Sequence, residues 1–241
     1  MASFQAHPPR QARSDVTYPC SRPPPGGLRY STTPGPSPET TSLDITPSLL
    51  WSAGGVPNII IVMPMASAQL QPDAVVASLD ALQPSVVLIQ LEIPESVPPA
   101  VISRCEVTSR RLILNASPVS PLAADSLRNA DPLLVNEGEA RSIVSLATND
   151  RAELALALAE VSRSVVLTAG SRGAFISHGS AVRHVRGEPV NVVDTTGAGD
   201  AFAGTLAALL ALGDDLDLAV TAANREAAWI VQRGRASRHL R

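Results

Sequence analysis

From residue 59 onward the chain alternates apolar runs of strand length with segments of helical spacing, and this alternation constrains the fold more than any other feature. The apolar runs cover residues 59–63, 86–91, 111–115, 133–135 and 164–168. Helical spacing covers 73–82, 98–105, 137–146, 152–161, 200–212 and 216–232. A strand that is apolar along its whole length must be covered on both faces, which points to a parallel sheet between two helical layers. Residues 174–177 and 181–185 read as a hairpin closed by His178-Gly179-Ser180. Ligands of such sheets bind beyond the carboxyl ends of the strands. The polar residues at those ends are Glu92, Asn115, Asn136, Thr168 and the loop that starts at Asp194.

Composition narrows the chemistry. All 19 basic residues are arginine, so the chain has no P-loop lysine, no protein-kinase strand lysine and no Schiff-base lysine. Any phosphoryl transfer must use another architecture. A net charge of −3 gives no nucleic-acid surface. No apolar run reaches membrane-span length, so no membrane partner is expected. Cys20 and Cys105 have no disulfide or metal spacing, which fits a reducing, cytoplasmic setting. Cys105 reads as a small helix residue, and His7, His178, His184 and His239 show no ligand spacing. Ten of the 21 prolines fall in the first 50 residues, where apolar periodicity is absent. Residues 1–54 are therefore expected to be disordered or poorly packed, and 55–241 to form the domain.

The chemistry concentrates in Asp194-Thr195-Thr196-Gly197-Ala198-Gly199-Asp200-Ala201-Phe202. It lies between a strand-like run, 189–193, and a helix-like run, 201–212. The glycines permit a tight turn, and the helix behind it opens with unpaired amides at the positive end of its dipole. That is an anion site. A carboxylate there, Asp200, repels a bound anion unless its work is to take the proton from a hydroxyl that attacks a bound phosphate. The alternative is an ordinary helix cap.

Other strand ends carry weaker signals. Thr168-Ala169-Gly170-Ser171-Arg172-Gly173 reads either as a phosphate- or ribose-holding turn or as a plain strand-to-hairpin turn. Glu139, in Asn136-Glu137-Gly138-Glu139, reads either as a support for hydrated Mg²⁺ or as a helix N-terminal carboxylate. Glu92 alone is a solvated strand end, and Asn224 alone a surface residue.

Together these residues resemble the PfkB carbohydrate kinases. Within that family, Gln90-Leu91-Glu92 with Ile93-Pro94, and 112–116, are similar to the ribokinase group. The resemblance spans 55–237 and implies an α/β fold, the ribokinase-like three-layer sandwich with a mostly parallel sheet. It implies ATP-dependent phosphorylation of a sugar's primary hydroxyl, ribose above all. Asp200 would be the base, and the amides of Gly197, Ala198 and Gly199 the anion hole. Thr168, Ala169, Gly170, Ser171, Arg172, Gly173 and Asn224 would hold ATP, with Asn136 near the phosphates and Glu139 supporting Mg²⁺. Glu92 would bind sugar hydroxyls. A K⁺ ion would sit at Asp194 and Thr196, with the backbones of Ile230, Arg233 and Arg235 as weaker matches.

The sequence departs from the family at several points, among them Pro64-Met65-Ala66-Ser67 where the ribokinase group has Pro-Gly-Ala-Asn, and most of all on its N-terminal side. The family's N-terminal portion carries an Asp and a Gly-Gly-Lys-Gly-Asn segment that grip the sugar. It also carries the lid strands that form the usual homodimer. Nothing in 1–54 resembles it, so an N-terminally truncated version of the fold is expected. Two alternatives follow: a nucleotide-binding remnant or truncated gene product, and a family kinase for another sugar or a nucleoside.

Overall fold

The computed structural model describes residues 49–51, 59–61, 67–120, 122 and 124–234. The expectation for 1–54 thus lies outside the described residues except at 49–51, and Arg235, Cys20, His7 and His239 lie outside them too. Leu49–Trp51 (β1) and Ile59–Ile61 (β2) pair antiparallel in a two-stranded sheet of their own.

The main sheet has six strands in chain order: β3 (Val86–Gln90), β4 (Arg111–Asn115), β5 (Ala130–Asn136), β6 (Val165–Thr168), β7 (Ala174–His178) and β8 (Ala181–Val185). The pairings from β3 to β6 are parallel, and β7 and β8 add antiparallel, with the hairpin where the sequence indicates it. β5 is longer than the expected 133–135 because it runs through Pro132. Leu112 pairs with Ala130 but Leu114 with Leu133, so β5 carries one extra residue there. A bulge at proline is the expected accommodation, since proline has no N–H to give the ladder.

The α-helices are α1 (Pro72–Leu82), α2 (Val97–Val107), α3 (Ala124–Leu127), α4 (Glu137–Val144), α5 (Arg151–Ala159), α6 (Ala198–Ala211) and α7 (Leu216–Val231), with 3₁₀ turns at Ser67–Gln69 and Gly170–Arg172. Strand alternation sorts the core into two. Leu112, Leu114, Leu133, Val135, Val165 and Leu167 face a cluster with Val101 and Ile102 of α2 and Leu154 and Leu158 of α5. Ile113, Leu134 and Val166 face the opposite way, toward Phe202, Leu206 and Leu209 of α6 and Val220 of α7. This is why the strands carry no polar alternation: both faces are buried. Each fully buried leucine or valine stabilises by about 1.5–3 kcal/mol. The three layers match the expected sandwich.

Local signals set the ends. Asp150 Oδ1 accepts from the Ala152 and Glu153 amides at 2.8 and 3.4 Å, and Asp215 Oδ1 from Leu218 at 2.8 Å. Both are side-chain caps of the orphan first-turn donors.

Candidate active site

α6 places the 194–202 loop. Phe202, Ala203, Leu206, Leu209 and Leu210 form its buried stripe on the sheet, so its first turn stands at the carboxyl end of the strands. Gly197, at φ 77°, turns the chain into it in the left-handed region that favours glycine. Asp200 lies in the first turn, but no side chain caps this helix, so Asp200 does not act as the ordinary cap. The Ala198 amide turns back to the Thr195 carbonyl at 3.2 Å. The amides of Gly199 and Asp200 lie among the first-turn donors that a helix leaves without intrahelical partners. A Cβ built on Gly199 would meet nothing within 4 Å, and Gly199 lines a cavity.

The residues before the turn depart from expectation. The strand-like run 189–193 is not a strand; residues 186–192 form an irregular strap. The sequence misleads here because an apolar run defines a strand only when a neighbour pairs with it. The side chains Val192 and Val193 stay 58% and 66% exposed, and the strap walls a cavity instead. At its end the Val193 and Asp194 amides donate to Val231 O at 2.7 and 3.1 Å, tying the loop to the C-terminal end of α7. Asp194 Oδ1 accepts from the Thr196 amide at 2.9 Å. Asp194, Thr196 and Ile230 are thereby brought into one neighbourhood. The Ile230 carbonyl accepts from Gln232 and Arg233, and Arg233 lies over Trp229 at 4.0 Å.

The cavity measures about 510 Å³. On one side lie Thr168, Gly170, Ser171 and Gly173; on another, Thr195, Ala198 and Gly199; on a third, Asn224 of α7. Val190, Val192, Phe202, Ala227, Ala228 and Val231 give it an apolar wall, and the strap adds Gly187, Pro189 and the one charged lining residue, Glu188. Three separate sequence signals thus meet at one hollow. Sequence reasoning missed the strap and the small-residue face of α7; Ala227 and Ala228 next to Asn224 were the available signal. Asn224 is half-buried rather than a surface residue, with Nδ2 3.4 Å from Val185 O.

The turn after β6 is tightly built. Gly170–Arg172 is a 3₁₀ turn with Gly170 at φ 56° and Gly173 at φ 91°. Arg172 donates to Glu137 Oε1 at 2.9 Å. Glu137 also pairs with Arg151 at 2.9 Å and Arg141 at 3.5 Å. Burial pushes the Glu137 carboxyl up, but hydrogen bonds and charge contacts from Arg151 and Arg172 outweigh it and hold the group below its ordinary value. Beside it, Asn136 and Glu139 form a capping box: Asn136 Oδ1 accepts from the Glu139 amide at 2.9 Å, and Glu139 Oε2 from the Asn136 amide at 2.7 Å. Of the two readings of Glu139, the helix-terminal role is present. Its second oxygen is not part of the box.

Glu92 lies beyond β3, exposed, and is not in the cavity wall. Asn136, Glu139, Asp194, Thr196 and Asp200 also stand outside that wall. Among the described residues no group of three or more His, Cys, Asp and Glu side chains is placed to hold a metal. No helix among them is long and apolar enough to cross a membrane. Cys105 is buried, and burial pushes its thiol up, partly offset by Arg110.

Comparison with known proteins bears on the fold and the family. Ribokinase of Bacillus subtilis (strain 168) is 34% identical over 175 residues, covering 72% of this chain and 58% of that protein. An Escherichia coli fructokinase is 39% identical over 93 residues, 38% of this chain and 30% of that one. The structure of Arabidopsis thaliana ribokinase complexed with ribose and ATP superposes with a TM-score of 0.66 at 24% identity, over 73% of this chain and 60% of that one. The chain therefore spans about three fifths of the length of the ribokinase it matches. The pfkB family carbohydrate kinases match residues 48–240, which take in the whole layered sheet and its strand-end loops, and the chain belongs to that family.

Proposed function

We propose that this chain is an ATP-dependent sugar kinase of the ribokinase type, acting on the primary hydroxyl of ribose or a similar sugar. The observation that carries the reading is the cavity in which the 168–173 turn, Asn224 and the first turn of α6 meet. Its apolar wall suits a nucleobase, and the amides of Gly197, Ala198 and Gly199 suit the transferring phosphoryl group. The sugar hydroxyl attacks the γ-phosphorus, the bond to the β–γ bridging oxygen breaks, and ADP leaves. Asp200 takes the hydroxyl proton. In this reading the Gly197, Ala198 and Gly199 amides receive the negative charge that develops on the phosphoryl group, and such preorganised donors act strongly away from water. The Thr168–Gly173 turn (Thr168, Ala169, Gly170, Ser171, Arg172, Gly173) and Asn224 hold the nucleotide, Asn136 lies toward its phosphates, and Glu92 binds sugar hydroxyls.

Two cations accompany this reading. Mg²⁺ screens the phosphates and asks for only one or two carboxylates, which fits Glu139 with one oxygen outside its capping box. A monovalent cation such as K⁺ orders the loop beside the anion hole. Asp194 and Thr196 fit an oxygen-lined site drawn toward the α7 terminus by the Val231 hydrogen bonds, with Ile230, Arg233 and Arg235 as backbone candidates. A cytoplasmic, dimeric enzyme is the family expectation.

A coupled assay with ribose, ATP, Mg²⁺ and K⁺ tests the proposal. Turnover should fall by about 10²–10⁴-fold in Asp200→Ala, the usual worth of a general base. Wild-type turnover no higher than that of the variant would overturn it. A second reading, nucleotide binding without sugar turnover, is favoured by Glu92 standing exposed and outside the cavity wall. Calorimetry separates them, since tight ribose binding excludes the second. The fructokinase similarity makes a sugar panel the measurement of specificity.

A further inference from the structure

We propose that Glu137 and His184 are positioning residues for the nucleotide turn, holding Arg172 from opposite ends; this rests on the nucleotide-binding reading above. Gly170, Ser171 and Arg172 are all exposed, and a three-residue turn of this kind does not hold its shape unaided. Arg172 is gripped twice. Its guanidinium donates to Glu137 Oε1 at 2.9 Å, from the first turn of α4. Its carbonyl lies 2.7 Å from His184 Nε2, on β8. With the carbonyl as acceptor, Nε2 is the protonated nitrogen.

Both anchors are themselves fixed. Glu137 is only 20% exposed and is paired with Arg151 at 2.9 Å. The His184 ring stacks on Phe175 at 4.3 Å with a 9° interplanar angle. The strap closes the third side: a Cβ on Gly187 would come within 2.4 Å of Ser171 O. One turn is thereby referenced to α4, β8 and the strap at once. Such over-determination exceeds what a strand connection needs and suits a turn whose amides and hydroxyl must meet a ligand in one geometry.

Calorimetric ATP titration and amide hydrogen exchange on the nucleotide-free protein test this together. The variants are Glu137→Gln, which keeps the shape but removes the charge, and His184→Phe, which keeps the stack but removes the donor. Arg104→Gln breaks the Asp80–Arg104 pair at 2.6 Å between α1 and α2 and is the control for stability loss alone. Each of the two positioning variants should weaken ATP binding by about 3- to 10-fold, the range of one lost hydrogen bond. Each should also speed exchange at 170–173 while circular dichroism stays unchanged. The control should do neither. If wild type binds ATP and both variants bind as well, the positioning role is overturned while the nucleotide site stands. If wild type binds no ATP, the nucleotide reading falls and takes this role with it. If either variant fails to fold, the other decides by the same two measurements.

Discussion

At the scale of the residue, glycine shows how much of this site is backbone geometry. Gly173 sits at φ 91°, and a Cβ there would stand 2.1 Å from Val185 O and 2.4 Å from Gly187 N. Gly170 sits at φ 56° with open space around it. Both carry the left-handed penalty, but only Gly173 carries a steric one against backbone that cannot move aside. Gly170→Ala should cost about 1–2 kcal/mol. Gly173→Ala should cost about 1–3 kcal/mol in strain alone, with the collision added to it. Urea unfolding of both variants checks the order; equal midpoints would show that the strap yields to the added methyl. The sequence exposes these glycines as a turn but not which one is indispensable, because the atoms that crowd Gly173 come from 185–187, beyond a hairpin. Asp200 was more legible. A carboxylate behind two glycines at a helix start conflicts with anion binding in its own sequence, whatever the fold.

At the scale of the element, α4 joins a cap to a charge cluster. Its capping box could be read from Asn136 and Glu139, three apart at a strand end. The role of Glu137 could not, because Arg151 and Arg172 come from α5 and from beyond β6. That cluster gives the fold a pH dependence of definite sign. The Glu137 carboxyl is held below its ordinary value near 4.3 by its arginines, so the folded state binds its proton less readily than the unfolded chain does. Its contribution to stability is complete above that ordinary value and is lost as pH falls through the depressed one. Thermal unfolding from pH 6 downward should show wild type losing stability more steeply below about pH 4.3 than Glu137→Gln, whose amide does not titrate. Parallel curves would mean that the cluster does not distinguish folded from unfolded. The same scale explains the misread strap. Residues 189–193 are valine-rich like 86–91, but Pro189 and Asn191 interrupt them, and both residue types are depleted in strands.

At the scale of the whole molecule, the two helical layers serve different ends. The layer of α2 and α5 buries Leu154 and Leu158 at 0% exposure, as α6 buries Leu206, but carries no part of the cavity wall. The layer of α6 and α7 buries Ala219 and Ala223 at 0% and carries the cavity in Asn224, Ala227, Ala228 and Val231. The sandwich itself was legible because strands with no polar alternation can only lie between two apolar layers; which layer holds the site was not, since it depends on how closely two helices approach. Ala223 is fully buried in the cluster that packs α6 and α7 on the sheet, and α7 in turn anchors the 193–194 backbone through Val231. Ala223→Leu should therefore cost about 1–3 kcal/mol by overpacking. It should also weaken ATP binding in the fraction that remains folded, because α7 is displaced together with Asn224 and the loop. Leu154→Ala should cost about 2–5 kcal/mol through the cavity it leaves, yet bind ATP as wild type does once affinity is referred to folded protein. Chemical denaturation paired with calorimetry on the two variants separates these effects. Equal loss of affinity in both would mean that the site senses global stability rather than the position of α7.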